Sequence, residues 1–165
     1  MEYKKGHEMI WISNRGNLEG PNPEQENHPL SVDIAIRSGF DVKIDLWQNG
    51  YGDLFLGNSK PTFRIEKDWF LERGDRLWVQ CSSREVLESS LDMGMNSFMT
   101  KYKEDVFTGT GYRWVLPGNP PVSSNSIQVL PETIVGATEF DNALFAGVCT
   151  NIPSILKESV KNEAI

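Results

Sequence analysis

The stretch WISNRGNLEGPNPEQEN, residues 11–27, holds the first residues whose types and order could do chemistry. An apolar run gives way to Asn14-Arg15-Gly16 and then to a polar loop rich in Asn, Pro and Glu. A buried strand that opens into a turn carrying an arginine suits the handling of a phosphate. Cleaving a phosphodiester there calls for a group that gains and loses a proton near working pH. Asn14 stands at that place, and a carboxamide gives and takes hydrogen bonds without moving protons. A second pair follows at Lys43 and Asp45. On a strand-like run these share one face, because side chains alternate with period two.

Elements must hold these residues in place. Residues 9–13 read as a short buried strand and 17–29 as a polar loop. Residues 30–40 read as a helix with Val32, Ile34, Ala35 and Ile36 on one side and Gly39 at its end. A strand over 41–50 and a segment over 51–58 flank an Asn-Gly turn, the signature of a hairpin. Residues 66–75 form a short helix, 76–81 a strand, and 83–94 a helix opened by Ser83 with acidic residues in its first turn. Strands follow at 97–102, 112–118, 126–132 and 143–150, with a loop at 119–125. A closing helix spans 152–162, with Pro153 in its first turn. The alternation of strand and helix predicts an α/β fold with a largely parallel sheet.

The 165 residues fit a single domain, 1–165, and 39% hydrophobic residues with five Trp allow a real core. A net charge of −7 without a basic block argues against nucleic acid, which is bound largely through Lys and Arg. It disfavours adsorption to anionic membranes as well. No signal peptide and no membrane span is evident. Cys81 and Cys149 lie in apolar runs without CxxC spacing, so they read as buried thiols. A cytoplasmic protein, or part of an assembly formed there, is the expected setting.

The ordered set ISNRGN, NPEQEN, AIRSGFDVKIDLWQNG, LFLGNSKP, LWVQCSS, GYRWVLPG and IQVLPE resembles the glycerophosphodiester phosphodiesterase family, over roughly residues 9–132. That family belongs with the phosphatidylinositol-phospholipase-C-like phosphodiesterases. The resemblance implies a PLC-like phosphodiesterase fold: a small, reduced (β/α) TIM-type barrel with its site at the C-terminal ends of the strands. The chain is short for a full barrel, for which about 250 residues is typical, so several helices must shrink or go.

The resemblance also implies a set of chemical residues, and this chain departs from it. Where the family has His-Arg-Gly, the chain has Asn14-Arg15-Gly16. Where it has Glu-x-Asp binding a divalent metal, the chain has Lys43-Ile44-Asp45. Where it has Gly-His-Asp, the chain has Gly57-Asn58-Ser59, and Ser82 stands near the place of a common lysine. Arg15, Glu26 and Asp45 match. Asn14 and Asn58 can hold a ligand but cannot act as acid and base. Lys43 repels the hard cation that carboxylates would bind. We expect it to replace the metal electrostatically, pairing with Asp45 and with Glu26 as a further partner, rather than to stand solvated on the strand.

The expected remnant site is therefore Asn14, Arg15, Glu26, Lys43, Asp45 and Asn58, with no catalytic residue, metal or cofactor. His28 is expected at the surface or at a helix start, Glu24 in a solvated loop, and Trp47, Trp78 and Trp114 in packing. Asp53 and Asp105 read as turn charges. The expected function is that of an inactive relative of the phosphodiesterases, working as a binding, assembly or structural component. An unidentified protein partner or self-association is expected, and a phosphate or glycerol-phosphate-like group is the small ligand the site would suit. The alternative is an active enzyme with a rebuilt site using Arg15, Glu26, Asp45 and His28, with Ca²⁺ or Mg²⁺.

Overall fold

A computed structural model describes residues 9–100, 104–121, 123–135 and 145–163. Its strands are β1 (Ile10–Asn14), β2 (Asp41–Gln48), β3 (Leu54–Leu56), β4 (Phe63–Ile65), β5 (Leu77–Cys81), β6 (Ser97–Phe98), β7 (Val106–Phe107), β8 (Arg113–Val115), β9 (Ser126–Val129) and β10 (Gly147–Thr150). The helices are α1 (Pro29–Arg37), α2 (Lys67–Glu72), α3 (Arg84–Asp92), α4 (Glu132–Val135) and α5 (Pro153–Glu163). A 3-10 turn, Gly74–Arg76, leads into β5. Among the described residues no helix is long and apolar enough to cross a membrane.

A continuous parallel run joins β6, β5, β2, β1, β10, β9 and β8 in that spatial order. The first and last strands lie side by side, with Ile10 opposite Gly147, which is how a barrel winds. The hairpin β3–β4 is an antiparallel flap paired with the upper part of β2, and β7 folds back on β8. The sheet does not close between β6 and β8. β6 is only two residues long and pairs with β5 alone. The seam is held instead by the Gly109 amide donating to the Ser97 carbonyl at 2.9 Å and by the Phe98 and Trp114 rings, 4.6 Å apart.

Strand alternation divides the core into two layers. Val42, Ile44, Leu46, Leu77 and Val79 pack outward with Val32 and Ala35 of α1, Phe70 of α2 and Val86 of α3. Ile12, Trp78, Phe98, Trp114, Ile127, Val129 and Cys149 fill the interior. The other parity of β2 therefore faces inward, which carries Asp41, Lys43 and Asp45 up the barrel axis. Cys81 and Cys149 are buried, and burial pushes each thiol up to about 12.

Several local expectations need correction. Ile34 is 47% exposed rather than buried. It lies about 200° around the helix from Val32 at 3.6 residues per turn, off the stripe that Val32, Ala35 and Ile36 form. The strands at 112–118 and 126–132 shorten to 113–115 and 126–129, and Glu132 opens α4 instead. β4, β7 and α4 had no counterpart in the sequence reading, since elements of two to four residues show no period. The strand expected over 97–102 retains Ser97–Phe98, and its positions 101–102, like 143–144 of the last strand, lie outside the described residues.

Candidate functional site

The Asn14-Arg15-Gly16 turn closes β1. Arg15 adopts a left-handed backbone, φ 61°, and Gly16 follows at φ 90°. A Cβ on Gly16 would meet Ser31 Cβ at 2.9 Å, so the turn fits against α1 only with glycine there. The Arg15 amide donates to the Lys43 carbonyl at 2.8 Å and its carbonyl accepts from the Asn27 amide at 3.0 Å. The turn is thus pinned to β2 on one side and to the loop end on the other, and the arginine is directed over the barrel mouth.

Four charges meet there. Lys43 Nζ donates to Asp45 Oδ1 at 3.1 Å and Oδ2 at 3.2 Å, and to Gln80 Oε1 at 3.2 Å. Arg15 Nε donates to Asp45 Oδ2 at 2.8 Å, and Arg15 Nη1 lies 3.4 Å from Glu26 Oε1. Lys43, Asp45 and Glu26 are 5%, 8% and 7% exposed, so these are desolvated charges rather than surface pairs. Burial alone would raise the Asp45 carboxyl. Lys43, then Arg15, with the Asn27 amide, outweigh it and hold the group below its ordinary value.

Carboxamides close the remaining valences. Asn27, wholly buried and at φ 64°, donates to Asp45 Oδ2 at 2.9 Å and to Asn58 Oδ1 at 2.7 Å, and accepts from the Asp45 amide at 2.9 Å. Asn58 Nδ2 donates to Glu26 Oε1 at 3.0 Å, and the Asn22 amide caps Glu26 Oε2 at 2.8 Å. Asn58 is placed by Gly57, where a Cβ would come within 1.9 Å of the Lys60 carbonyl oxygen. Asn14 faces the other rim. Its amide and that of Asn17 donate to Asn151 Oδ1 at 2.8 and 2.9 Å, while Glu132 accepts from the Asn151 amide and the Thr150 hydroxyl.

The structure brings Arg15, Glu26, Lys43, Asp45 and Asn58 into one network and sets Asn14 in an adjoining one. Lys43 pairs with Asp45 as expected. Glu26 pairs with Arg15, so its expected contact with Lys43 is replaced by that one. His28 caps α1, its Nδ1 accepting from the Leu30 amide at 3.1 Å, and its ring rests against Phe63. It takes no part in the network. Glu24 is exposed. Trp78 and Trp114 are core residues, and half-buried Trp47 donates to the Gly57 carbonyl at 2.7 Å. Asp53 belongs to an Asn49 turn. Asp105 does more than sit in one, accepting from the Leu116 amide and Asn119.

Asn27, Gln80, Thr100, Glu132 and Asn151 are site residues that the sequence reading passed over. A usable signal existed for Gln80, a polar residue at the inward parity of an otherwise apolar strand. Glu132 and Asn151 stand just past the ends of parallel strands, where barrel sites gather. A cleft of about 190 Å³ remains beside the network, lined by Asp45, Asn58, Gln80, Ser82 and Thr100 among others.

The donor set does not suit the divalent metal that the family resemblance implies. Both oxygens of Asp45 and both of Glu26 are already bonded to ammonium, guanidinium or amide donors, and an ammonium stands 3.1 Å from the first carboxylate. A hard cation needs several free oxygen ligands and would meet a fixed positive charge instead. Among the described residues, no group of three or more His, Cys, Asp or Glu could hold a metal ion.

No protein-family model matches the chain, and no curated protein matches it significantly. Solved structures do. A glycerophosphodiester phosphodiesterase from Agrobacterium tumefaciens str. C58 superposes with a TM-score of 0.55 at 10% identity, covering 93% of this chain and 100% of that one. One from Parabacteroides distasonis ATCC 8503 gives the same TM-score and identity over 96% of this chain and 100% of its own. At that identity the likeness establishes the architecture: the chain has a fold like that of the glycerophosphodiester phosphodiesterases, with an unclosed barrel.

Proposed function

We propose that this chain is a catalytically silent relative of the glycerophosphodiester phosphodiesterases that serves as a binding, assembly or structural component. The observation that carries this reading is the position of Lys43. Its ammonium sits 3.1 Å from Asp45 Oδ1 inside the barrel mouth and holds that oxygen, while Arg15 and Asn27 hold Oδ2. The Asn side chains at positions 14 and 58 complement it, since neither can exchange a proton with a reacting phosphodiester. A site with its charges mutually neutralised supports little attraction for a phosphate, so the function is sought in what the folded body contacts.

The test is turnover. The purified chain is expected to hydrolyse glycerophosphodiesters no faster than background with Mg²⁺ or Ca²⁺ added. Metal-dependent hydrolysis that disappears in Asp45→Ala would overturn this reading in favour of an active phosphodiesterase with a rebuilt site.

A further inference from the structure

The tip of the β2–β3 hairpin carries the one Asn-Gly pair of the chain, Asn49-Gly50. An asparagine followed by glycine can be attacked by its own chain. The glycine nitrogen adds to the side-chain carbonyl carbon and displaces ammonia, an approach that a Cβ on the second residue would obstruct. The geometry around Asn49 favours that addition. Its Oδ1 accepts from the Tyr51 amide at 3.0 Å and from the Asp53 amide at 2.9 Å. Two backbone donors therefore sit on the oxygen that gains negative charge as the nitrogen adds, the arrangement by which an oxyanion is stabilised. The bond to Tyr51 closes an Asx turn and folds the side chain back along the peptide that must attack it, so less orientational freedom is left to lose. At the far end of the carboxamide, Nδ2 donates to Asp53 Oδ2 at 3.0 Å, which fixes its plane.

Gly50 supplies a second, independent sign. Asn49 and Gly50 are exposed, and no acceptor among the described residues takes the Gly50 amide, so water reaches it. The fold does not demand glycine at this position. A Cβ there would meet nothing within 4 Å, and its backbone lies outside the left-handed region, unlike that of Gly52 at φ 87°. We propose that Asn49 is a self-modification site, whose side chain condenses with the Gly50 nitrogen to a succinimide in the folded protein. The bond from Gly50 N to Asn49 Cγ forms and the Cγ–Nδ2 bond breaks. The Gly50 amide proton is lost to water, the departing nitrogen takes one back, and ammonia leaves. Water then opens the ring at either carbonyl, giving aspartate or isoaspartate at position 49. The product sets a second carboxylate against Asp53, whose other oxygen Arg64 holds at 3.2 Å, and like charges so placed loosen the tip of the hairpin.

Peptide mapping by mass spectrometry, on folded protein kept at mildly alkaline pH, tests the reaction. The peptide containing residue 49 should gain about 1 Da and separate into aspartate and isoaspartate forms. It should do so faster than in the same chain held unfolded in denaturant, where the two donors no longer face Oδ1. Gly50→Ala should melt like the parent and convert about tenfold or more slower. Asn49→Asp, which carries the product's charge from the start, should speed amide exchange at residues 51 and 53 by about threefold or more. The proposal is overturned if residue 49 converts no faster in the folded protein than in the unfolded chain, or if Gly50→Ala converts as fast as the parent. Unchanged exchange in Asn49→Asp would overturn the loosening of the tip.

Discussion

The two ends of the barrel hold acidic side chains that are paired to different degrees. At the C-terminal mouth, two cations and two carboxylates are locked together and the surrounding carboxamides leave no carboxylate oxygen free. At the N-terminal mouth, Asp41 is held by the Trp78 indole and Arg76, while Asp75 is exposed and has no ion-pair partner among the described residues. Catalytic sites of this architecture lie at the C-terminal end, while the N-terminal end serves stability. Here the charges at the C-terminal end are bonded to one another, and an exposed, unpaired carboxylate stands at the other. Polar residues at a barrel mouth are therefore not evidence of chemistry on their own; what matters is whether any valence is left over.

The sharpest way to break this contrast is to unpair the C-terminal mouth. Lys43→Met keeps most of the stem and deletes the charge, leaving Asp45 with Arg15 and Asn27. We expect a destabilisation of about 2–3 kcal/mol in denaturant melts, below the full cost of a stranded buried charge because those partners remain. Lys43→Met combined with Asp45→Asn should recover much of the loss. A Lys43→Met variant within about 0.5 kcal/mol of the parent would mean that the ammonium is effectively solvated.

Asn27→Gly comes next. Glycine tolerates the left-handed backbone at position 27, so the change isolates the three side-chain hydrogen bonds. A loss of about 2 kcal/mol is expected from leaving the buried Asp45 carboxylate and amide short of partners. An unchanged midpoint would show the carboxamide to be dispensable.

Titration gives an effect of intermediate size. The folded Asp45 lies below its ordinary value of 3.8, so its contribution to stability is complete above that value and is lost as pH falls through the lower folded value. Asp41 is shifted the other way, above 3.8, so its contribution is present at lower pH and is lost as pH rises through its folded value. Asp45→Asn should flatten the acid limb of a stability–pH profile below about pH 4, while Asp41→Asn should flatten the limb just above it. An acid limb unchanged in Asp45→Asn would contradict the assignment.

The smallest effect is expected on the surface. Arg84 and Glu88 lie 3.3 Å apart on α3 with side chains 81% and 66% exposed. Arg84→Ala should change stability by less than about 0.5 kcal/mol. A comparable loss at Arg84 and at Lys43 would erase the distinction between stitched and solvated pairs.

Much of this was legible before the fold. The alternation of strand and helix gave the parallel winding, and period two on β2 put Lys43 beside Asp45. The resemblance pointed to the turn, the hairpin and the residues Arg15, Glu26, Lys43, Asp45 and Asn58 that meet at the mouth. What escaped notice depends on distance in sequence. Asn151 meets Asn14, and Glu132 meets Thr150, only because the last strand returns beside the first. Glu26 could not be assigned to Arg15 rather than to Lys43 until the loop end was pinned under the turn. The unclosed seam was not foreseeable either, since a two-residue strand such as β6 carries no periodicity.

Calorimetric titration with Mg²⁺ and Ca²⁺ tests most directly whether Lys43 stands where a metal would. The unaltered chain should give no saturable heat at the C-terminal mouth. The variant carrying Asn14→His, Lys43→Glu, Asn58→His and Ser59→Asp should gain saturable divalent binding before it gains turnover, because ligation needs donors of the right type while catalysis also needs their support. Saturable binding to the unaltered chain that is lost in Asp45→Ala would contradict the account.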